Sequence, residues 1–393
     1  MNSNWIISIT AGWAQVHSIK FCKKLGFNVL SVDQNPKAKG FAFSDEYLVA
    51  KIDDIHKITN FIKNKNITPI GIVGFVSDAA IVPVGMLRNH YKMPSQTIDM
   101  LISQIDKEKQ LALLKDTANI PQSFVISNLK EAKSTLNSLK YPLIAKPTVG
   151  SGSRGVNKID SANDLEKIED SLANSRNGKI VLQEFIEGDE YSIETFCYEK
   201  KIKFLATSKR EVNDSMSATE IFTYEIDKTS FNKMTTEIEK VYEVFNYPNG
   251  PGHFELIRDQ NGYNYIIDIH FRGGGFDIFN YLVKEVSGFD IVYNTIMQCL
   301  NKELNLNHSN TKNNVFIKFL NGHKGVLKKI DGINKVNKIK GIRTKTFFKV
   351  GEKIYDSKSD GDRIVMLTCS SKNINTCKKL LNEAVKKINI EIV

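Results

Sequence analysis

Five polar side chains in two short runs have the types and spacing to hold a divalent cation beside an anion. His253 and Glu255 alternate in Gly252-His253-Phe254-Glu255-Leu256-Ile257, and Asp268, His270 and Arg272 alternate in Tyr265-Ile266-Ile267-Asp268-Ile269-His270-Phe271-Arg272-Gly273. Between the runs lies Asp259-Gln260-Asn261-Gly262, and Asn-Gly flanked by β-rich residues is a strong hairpin signal. A two-residue turn at Asn261-Gly262 sets Gln260 opposite Tyr263, Glu255 opposite Asp268 and His253 opposite His270. Strand side chains alternate faces, so the five share one surface, with Phe254, Leu256, Ile267, Ile269 and Phe271 on the core side. A four-residue turn would keep these faces; a one-residue bulge would not. Facing carboxylates repel unless a cation or proton sits between them. The alternative is a solvated polar face. Against it, an arginine and the run Gly273-Gly274-Gly275 follow at once, where backbone can approach a ligand closely. The pattern predicts a metal and anion site, and Mg²⁺ suits it: this ion takes one or two protein carboxylates and completes its shell with phosphate oxygens.

A second candidate lies upstream, in Ala145-Lys146-Pro147-Thr148-Val149-Gly150-Ser151-Gly152-Ser153-Arg154-Gly155-Val156. Gly150, Gly152 and Gly155 match G-x-G-x-x-G, but a dinucleotide loop opens a helix, whereas Val156-Asn157-Lys158-Ile159 alternates like a returning strand. The P-loop pattern is absent. What remains is a glycine-rich hairpin able to fold over phosphates, with Lys146 as a point charge on the preceding strand, or else a flexible surface hairpin. Lys179 to Glu194 reads as strand, acidic connector and strand; such a connector can offer backbone groups to a purine and a carboxylate to ribose, or be an ordinary surface turn. Lys209 and Arg210 end a strand as an anion-binding rim or plain surface.

The elements around these runs are mixed. Trp5 to Thr10, Phe27 to Asp33 and Pro69 to Phe75 read as strands separated by helical segments, a βαβ pattern implying a parallel sheet. Ala11-Gly12-Trp13-Ala14-Gln15 lacks the dinucleotide fingerprint, so nicotinamide binding is not expected. A helix begins near Asp106-Lys107, another at Phe276 to Val283, and a last one spans Asn373 to Ile388; Glu303 to Asn314 is the best linker. With 393 residues and 41% hydrophobic content the chain can form two or three domains. The net charge of +10 comes from scattered lysines without a basic block, which argues against nucleic acid and suits anionic small molecules. Five cysteines without C-x-x-C spacing argue against a disulfide framework or a zinc site. No membrane-spanning run or signal peptide is evident, so a cytoplasmic protein without membrane partners is expected.

Taken together, these motifs resemble the ATP-grasp superfamily, specifically its three-part carboxylate–amine ligases such as the L-amino-acid ligases. The resemblance rests on the βαβ opening with Val32-Asp33-Gln34-Asn35-Pro36, Asp106-Lys107, the Lys146 strand and glycine loop, Gln183-Glu184-Phe185-Ile186-Glu187-Gly188-Asp189-Glu190-Tyr191, the hairpin, and Gly361-Asp362-Arg363-Ile364-Val365. It implies an α/β and α+β fold of three domains: a Rossmann-like pre-ATP-grasp domain at 1–104, a two-lobed ATP-grasp domain at 105–302 with a lid about 120–186, and a C-terminal α+β domain at 303–393. By position, the resemblance puts Lys107 and Lys146 on ATP phosphates under a mobile loop of Ser151, Gly152, Ser153, Arg154 and Gly155. Glu184, Phe185 and Ile186 would meet adenine, chiefly through backbone groups of Glu184 and Ile186, and Glu190 would hold the ribose. Glu255, Asp268 and His270 would face the metal, and Arg272 would stabilise the reacting charges with Lys146. Lys209, Arg210, His253 and Gly274 would lie near the substrate.

Two departures stand out. The family usually has Glu at the place of Asp268 and Asn at that of His270; the shorter acid suits one bridging metal, and imidazole is a softer ligand that favours Mn²⁺ over Mg²⁺. The implied reaction forms an acyl phosphate from ATP and a small carboxylic acid, then couples it to an amine, with ADP and phosphate released. Homodimers are common in the family. Two rival readings remain at this point: a nucleotide-binding homologue of weak catalysis, and a bicarbonate-dependent carboxylase.

Overall fold

The computed structural model describes residues 4–309, 311–356 and 359–393. The opening βαβ pattern forms a parallel sheet in the order Glu46–Val49, Asn28–Asp33, Trp5–Ile9, Pro69–Val73. Its apolar runs are buried on both faces, as continuous Ile/Val segments require. After the last of these strands the chain turns through Val76 and Ser77 into a short 3-10 turn, Asp78–Ala80, aimed at the rest of the molecule.

Next comes a small antiparallel sheet ordered Ser123–Ile126, Ile180–Glu184, Leu143–Pro147, Asn157–Ile159. The last two strands are the expected glycine-rich hairpin. Helices Leu129–Leu136 and Leu165–Ala173 close this sheet over a core of Leu143, Ala145, Ile168 and Leu182.

The third sheet has eight antiparallel strands, in the order Asn264–His270, Gly250–Asp259, Gly188–Tyr198, Lys201–Val212, Ala218–Thr223, Asn314–Asn321, Arg363–Ser371, Ile342–Thr346. Residues beyond 303 therefore continue the same sheet, through pairing of Ile221 with Ile317. Residues 301–309 and 311–313 carry neither helix nor strand, but Leu304 and Leu306 pack against the core beside the first sheet and Asn314 already opens a strand. Helix Lys228–Val244 packs Ile238, Val241 and Tyr242 onto Ile193, Phe254, Leu256 and Phe271, which leaves the opposite face of these strands to polar side chains.

The hairpin differs from its sequence reading in two places that cancel. The connection is a three-residue loop, Gln260–Gly262, because Asp259 N–H donates to the Tyr263 carbonyl at 3.0 Å and pairing resumes with Arg258 opposite Asn264. Gly262 sits at φ +81°, the left-handed position such loops reserve for glycine. Alone, this would slip Glu255 out of register with Asp268. A bulge at Ile267 restores it, so Glu255 does face Asp268 and His253 faces His270. The core residue is accordingly Ile266, not Ile267, which turns toward the cleft. At the next turn of chain the expected helix begins as a π-helical segment, Ile278–Leu282, followed by Val283–Ser287.

Candidate active site

The cleft lies between the small sheet, the polar face of the large sheet and the Asp78 turn. Lys107 opens helix Lys107–Leu114, where the Asp106 side chain caps the Glu108 N–H at 2.9 Å and the Lys107 N–H donates to the Thr148 carbonyl at 2.8 Å. The helix start is thus tied to the base of the glycine loop. The Lys107 ammonium lies 2.9 Å from Asp268. Lys146 donates at 2.6 Å to the carbonyl of Ile267, the bulged residue, and forms no ion pair among the described residues.

On the facing strand, Arg210 bridges Glu190 at 3.0 Å and Glu255. The acidic pair therefore stands between two cations, Lys107 on one side and Arg210 on the other. Burial pushes the Asp268 and Glu255 carboxyls up. For Asp268 this is overcome by Lys107 and His270, for Glu255 by Arg210 and His253, and both are held well below the usual range. Glu190 is pushed up to about 7 by its burial, which Arg210 only partly offsets. Burial also drives Lys146 down to about 8, with Asp268 opposing and Lys107 adding to the fall. Paired with an acid, Lys107 moves the other way.

Arg272 is fixed by a residue that sequence reasoning missed. Asp78 accepts from Arg272 Nε at 3.1 Å and Nη2 at 2.9 Å, and its Oδ1 lies 2.9 Å from His270 Nδ1. This is a bidentate pair, the geometry that holds a guanidinium plane most firmly. The signal that could have found Asp78 is its place just beyond the carboxyl end of a parallel strand, where ligands gather in open α/β sheets. A second missed acid, Glu194, is buried on the strand beside His253, hydrogen-bonds its Nδ1 and leaves Oε2 without a partner. His253 Nε2 reaches Glu255 at 3.2 Å. Burial lowers the His253 pKa, but Glu194 more than compensates and brings it to about 9.

Ser151, Gly152, Ser153, Arg154, Glu184, Phe185, Ile186 and Glu190 line the cleft, together with Arg210, His253, Glu255, Asp268, His270 and Arg272. Gly155, at φ +67°, is not in the lining; a Cβ there would meet Asn174 at 2.6 Å. Gly274 backs the site from beneath, since a Cβ would come within 2.7 Å of Ile278 and 3.1 Å of Glu194 Oε1. The N–H groups of Glu184 and Phe185 are spent on Gln122 and Pro142 carbonyls, whereas that of Ile186 has no hydrogen bond among the described residues. Lys209 does not join the others. As the neighbour of Arg210 on one strand it points to the opposite face, where it pairs with Asp189 at 2.8 Å and lies over the Tyr224 ring at 4.4 Å.

For a metal ion the donors are two facing carboxylates. No group of three or more His, Cys, Asp and Glu side chains converges for one among the described residues. Both His270 ring nitrogens meet carboxylates, Asp78 and Asp268. Two hard oxygen donors amid cations fit Mg²⁺ that arrives with phosphate oxygens, rather than an ion held by a full protein cage.

Residues 139–278 match the family model of the ATP-grasp domain. The L-arginine-specific L-amino acid ligase of Bacillus subtilis is 20% identical over 346 residues, spanning 85% of this chain and 84% of that protein. Among solved structures, an L-amino acid ligase from Bacillus licheniformis superposes with a TM-score of 0.82 at 18% identity, covering 100% of both chains. The biotin carboxylase domain dimer of Hydrogenobacter thermophilus 2-oxoglutarate carboxylase, in complex with MgADP, ADP and bicarbonate, gives 0.78 at 15% identity over 99% of this chain and 91% of that one. At such identities the structural likeness is one of fold. No helix among the described residues is long and apolar enough to cross a membrane.

Proposed function

We propose, from the match of residues 139–278 to the ATP-grasp domain model and the likeness of fold to an L-amino acid ligase, that this chain is an ATP-grasp protein and an ADP-forming ligase that joins a small carboxylic acid to an amine. The observation that carries this reading is the half-buried Glu255–Asp268 pair, set between Lys107 and Arg210 and flanked by Lys146, which has no ion pair among the described residues, and the anchored Arg272. A free carboxylate has a poor leaving group. Transfer of the γ-phosphoryl group of ATP to its oxygen gives an acyl phosphate and ADP, and attack by an amine then forms the amide and releases phosphate.

Within this scheme each residue acts by position and charge, the dominant contributions in phosphoryl transfer. Lys146 and Lys107 hold the phosphates. Glu190 holds the ribose and Ile186 N–H the base. Arg272 steadies charge on the transferring phosphoryl and the acid. Glu255 and Asp268 would hold Mg²⁺ or Mn²⁺, which neutralises charge shared between phosphate groups when bound. The glycine loop excludes water that would hydrolyse the acyl phosphate. We place the reaction in the cytoplasm, where the five free thiols stay reduced, with a homodimer as the assembly that light scattering would test.

The full chain incubated with ATP, Mg²⁺ and pooled amino acids or other acid–amine pairs should release ADP and phosphate only when both partners are present. Cleavage to AMP and pyrophosphate overturns the reading. A requirement for bicarbonate reassigns the acyl phosphate to carboxylation, the chemistry suggested by the biotin carboxylase likeness. Tight ATP binding without turnover, unrestored by Asp268→Glu with His270→Asn, marks a nucleotide-binding protein instead.

A further inference from the structure

The cleft contains one more arginine, Arg363, to which the scheme above gives no part. Arg363 opens strand Arg363–Ser371 and is 1% exposed. Its guanidinium lies 3.7 Å from the Phe319 ring centroid and 4.0 Å from that of Phe276, and it lines the same cleft as Arg272. All its hydrogen bonds pass through Nη2, to the Ala218 carbonyl at 2.8 Å and to Asp360 at 2.5 Å. Nε and Nη1 are buried without a partner among the described residues. A guanidinium has five N–H donors and keeps its charge, so donors left unpaired in an apolar setting carry a penalty that a bound acceptor would relieve. Asp360 meets Arg363 through one Oδ1, which also accepts from Ser217 Oγ at 2.9 Å, and so leaves the Nε and Nη1 donors unmet.

We propose that Arg363 receives a carboxylate carried by the amine substrate, so that the amine partner is an amino acid or a similar amino acid-like anion and not a neutral amine. This rests on the ligase reading above. Two arguments assign the group. Arg272 is taken by Asp78 and Arg210 by Glu190 and Glu255, so Arg363 is left with free donors for a group other than the one at the Glu255–Asp268 pair. Arg363 and Asp360 already form a neutral pair, so a bound carboxylate leaves a single negative charge among the aromatic rings, whereas a phosphate dianion would leave two. Asp360 further links this receptor to the phosphate end, since its N–H donates to the Gly152 carbonyl of the glycine loop at 3.1 Å. An amine partner seated at Arg363 thereby favours the closed loop.

The test compares free L-amino acids with their α-amides as amine partners, in ADP release by the full chain and in thermal unfolding with ADP and Mg²⁺ present. The wild type should show a KM for the amide on the order of a hundredfold above that for the acid. Arg363→Met should raise the KM for the acid to the amide's level, with kcat at saturation and the ADP-induced thermal shift retained; Arg363→Lys should recover part of the loss. Retention of the ADP shift shows that the variant is folded. Equal KM values for acid and amide in the wild type, or an acid KM unmoved by Arg363→Met, overturn the proposal while the ligase reading stands. If no acid–amine pair is turned over, thermal shifts decide: stabilisation by the pool of twenty free amino acids, but not by their amides, that Arg363→Met weakens at least tenfold supports the receptor even though the ligase reading fails. Absence of any such shift overturns it.

Discussion

Lys146→Met separates what a buried lysine does for binding from what it does to the fold. In the empty cleft, burial brings the Lys146 pKa from 10.5 to about 8. This corresponds to about 3 kcal/mol of destabilisation of the charged form at pH 7. Opposing it is the hydrogen bond to the Ile267 carbonyl at 2.6 Å, and a bond from a charged donor contributes about 1.5–3 kcal/mol. Methionine keeps most of the apolar stem and removes both terms. The two nearly cancel, so the empty variant should unfold within about 1 kcal/mol of the wild type at pH 7, a small shift in midpoint for a chain of this size.

The sign with pH follows from the lowered pKa. A base depressed in the fold costs stability wherever the unfolded chain still carries the proton, so the penalty is fully present below about pH 8 and fades as pH rises toward 10.5. Wild type should therefore gain on Lys146→Met between pH 8 and 10.5. Nucleotide reverses the comparison. ADP with Mg²⁺ at a hundred times its Kd stabilises the wild type by about 2.7 kcal/mol, and the variant should lose most of that. Thermal unfolding of both proteins, empty and loaded, at pH 7, 8, 9 and 10 reads all of these. Loss of more than about 3 kcal/mol by the empty variant, or an intact ADP response, refutes the assignment of Lys146 as a phosphate cation held in place at a cost to the fold.

Affinity for ADP should follow a bell-shaped pH profile. Glu190 must ionise, near 7, to accept the ribose hydroxyls, and Lys146 must stay protonated, up to about 8; titration calorimetry of Glu190→Gln should show the acid limb gone and the alkaline limb unchanged. Asp78→Asn removes the bidentate anchor of Arg272 and should lower kcat on the order of a hundredfold while KM for ATP moves little, because the missing contact acts on the reacting group. Because both His270 ring nitrogens are taken by Asp78 and Asp268, Asp268→Glu with His270→Asn should leave the ratio of Mn²⁺ to Mg²⁺ needed for half of the ADP-induced thermal shift unchanged; a lowered preference for Mn²⁺ would show that the imidazole reaches the metal.

Alternation along a strand is a local property, and it made the faces of His253, Glu255, Asp268, His270 and Arg272 readable without coordinates. The glycine hairpin was readable for the same reason, since Val156 to Ile159 alternate where a dinucleotide loop would continue as a helix. Asp78, Glu194 and Arg363 were not read as site residues: Asp78 is marked only by its place past the end of a parallel strand, and nothing local gives Glu194 or Arg363 a role in the site. Asp78 meets His270 across 192 positions of sequence, and Arg363 meets Ala218, Phe276 and Phe319 from distant parts of the chain that only folding brings together. Lys209 shows the converse error: two adjacent cations on one strand look like a patch, but the pleat sends them to opposite sides.

The hairpin shows why a correct pairing can come from an incorrect turn. Burial of Phe254, Ile269 and Phe271 under helix Lys228–Val244 sets the register at Glu255 and Asp268, while Asn261-Gly262 sets it only at the tip. The two registers differ by one residue, and Ile267 absorbs the difference as the bulge. That bulge has consequences at the site. It lets Ile266 N–H pair with the Asn119 carbonyl at 2.9 Å and turns the Ile267 carbonyl to Lys146. Deleting Tyr263, which keeps the three-residue loop Gln260–Gly262 and sets Asp259 opposite Asn264, should remove the need for a bulge. A register continuous from tip to Glu255 would then return the Ile267 carbonyl to the ladder and deprive Lys146 of its acceptor. The Glu255–Asp268 pairing should survive such a deletion while ADP binding weakens; unchanged ADP binding refutes a role for the bulge at the site.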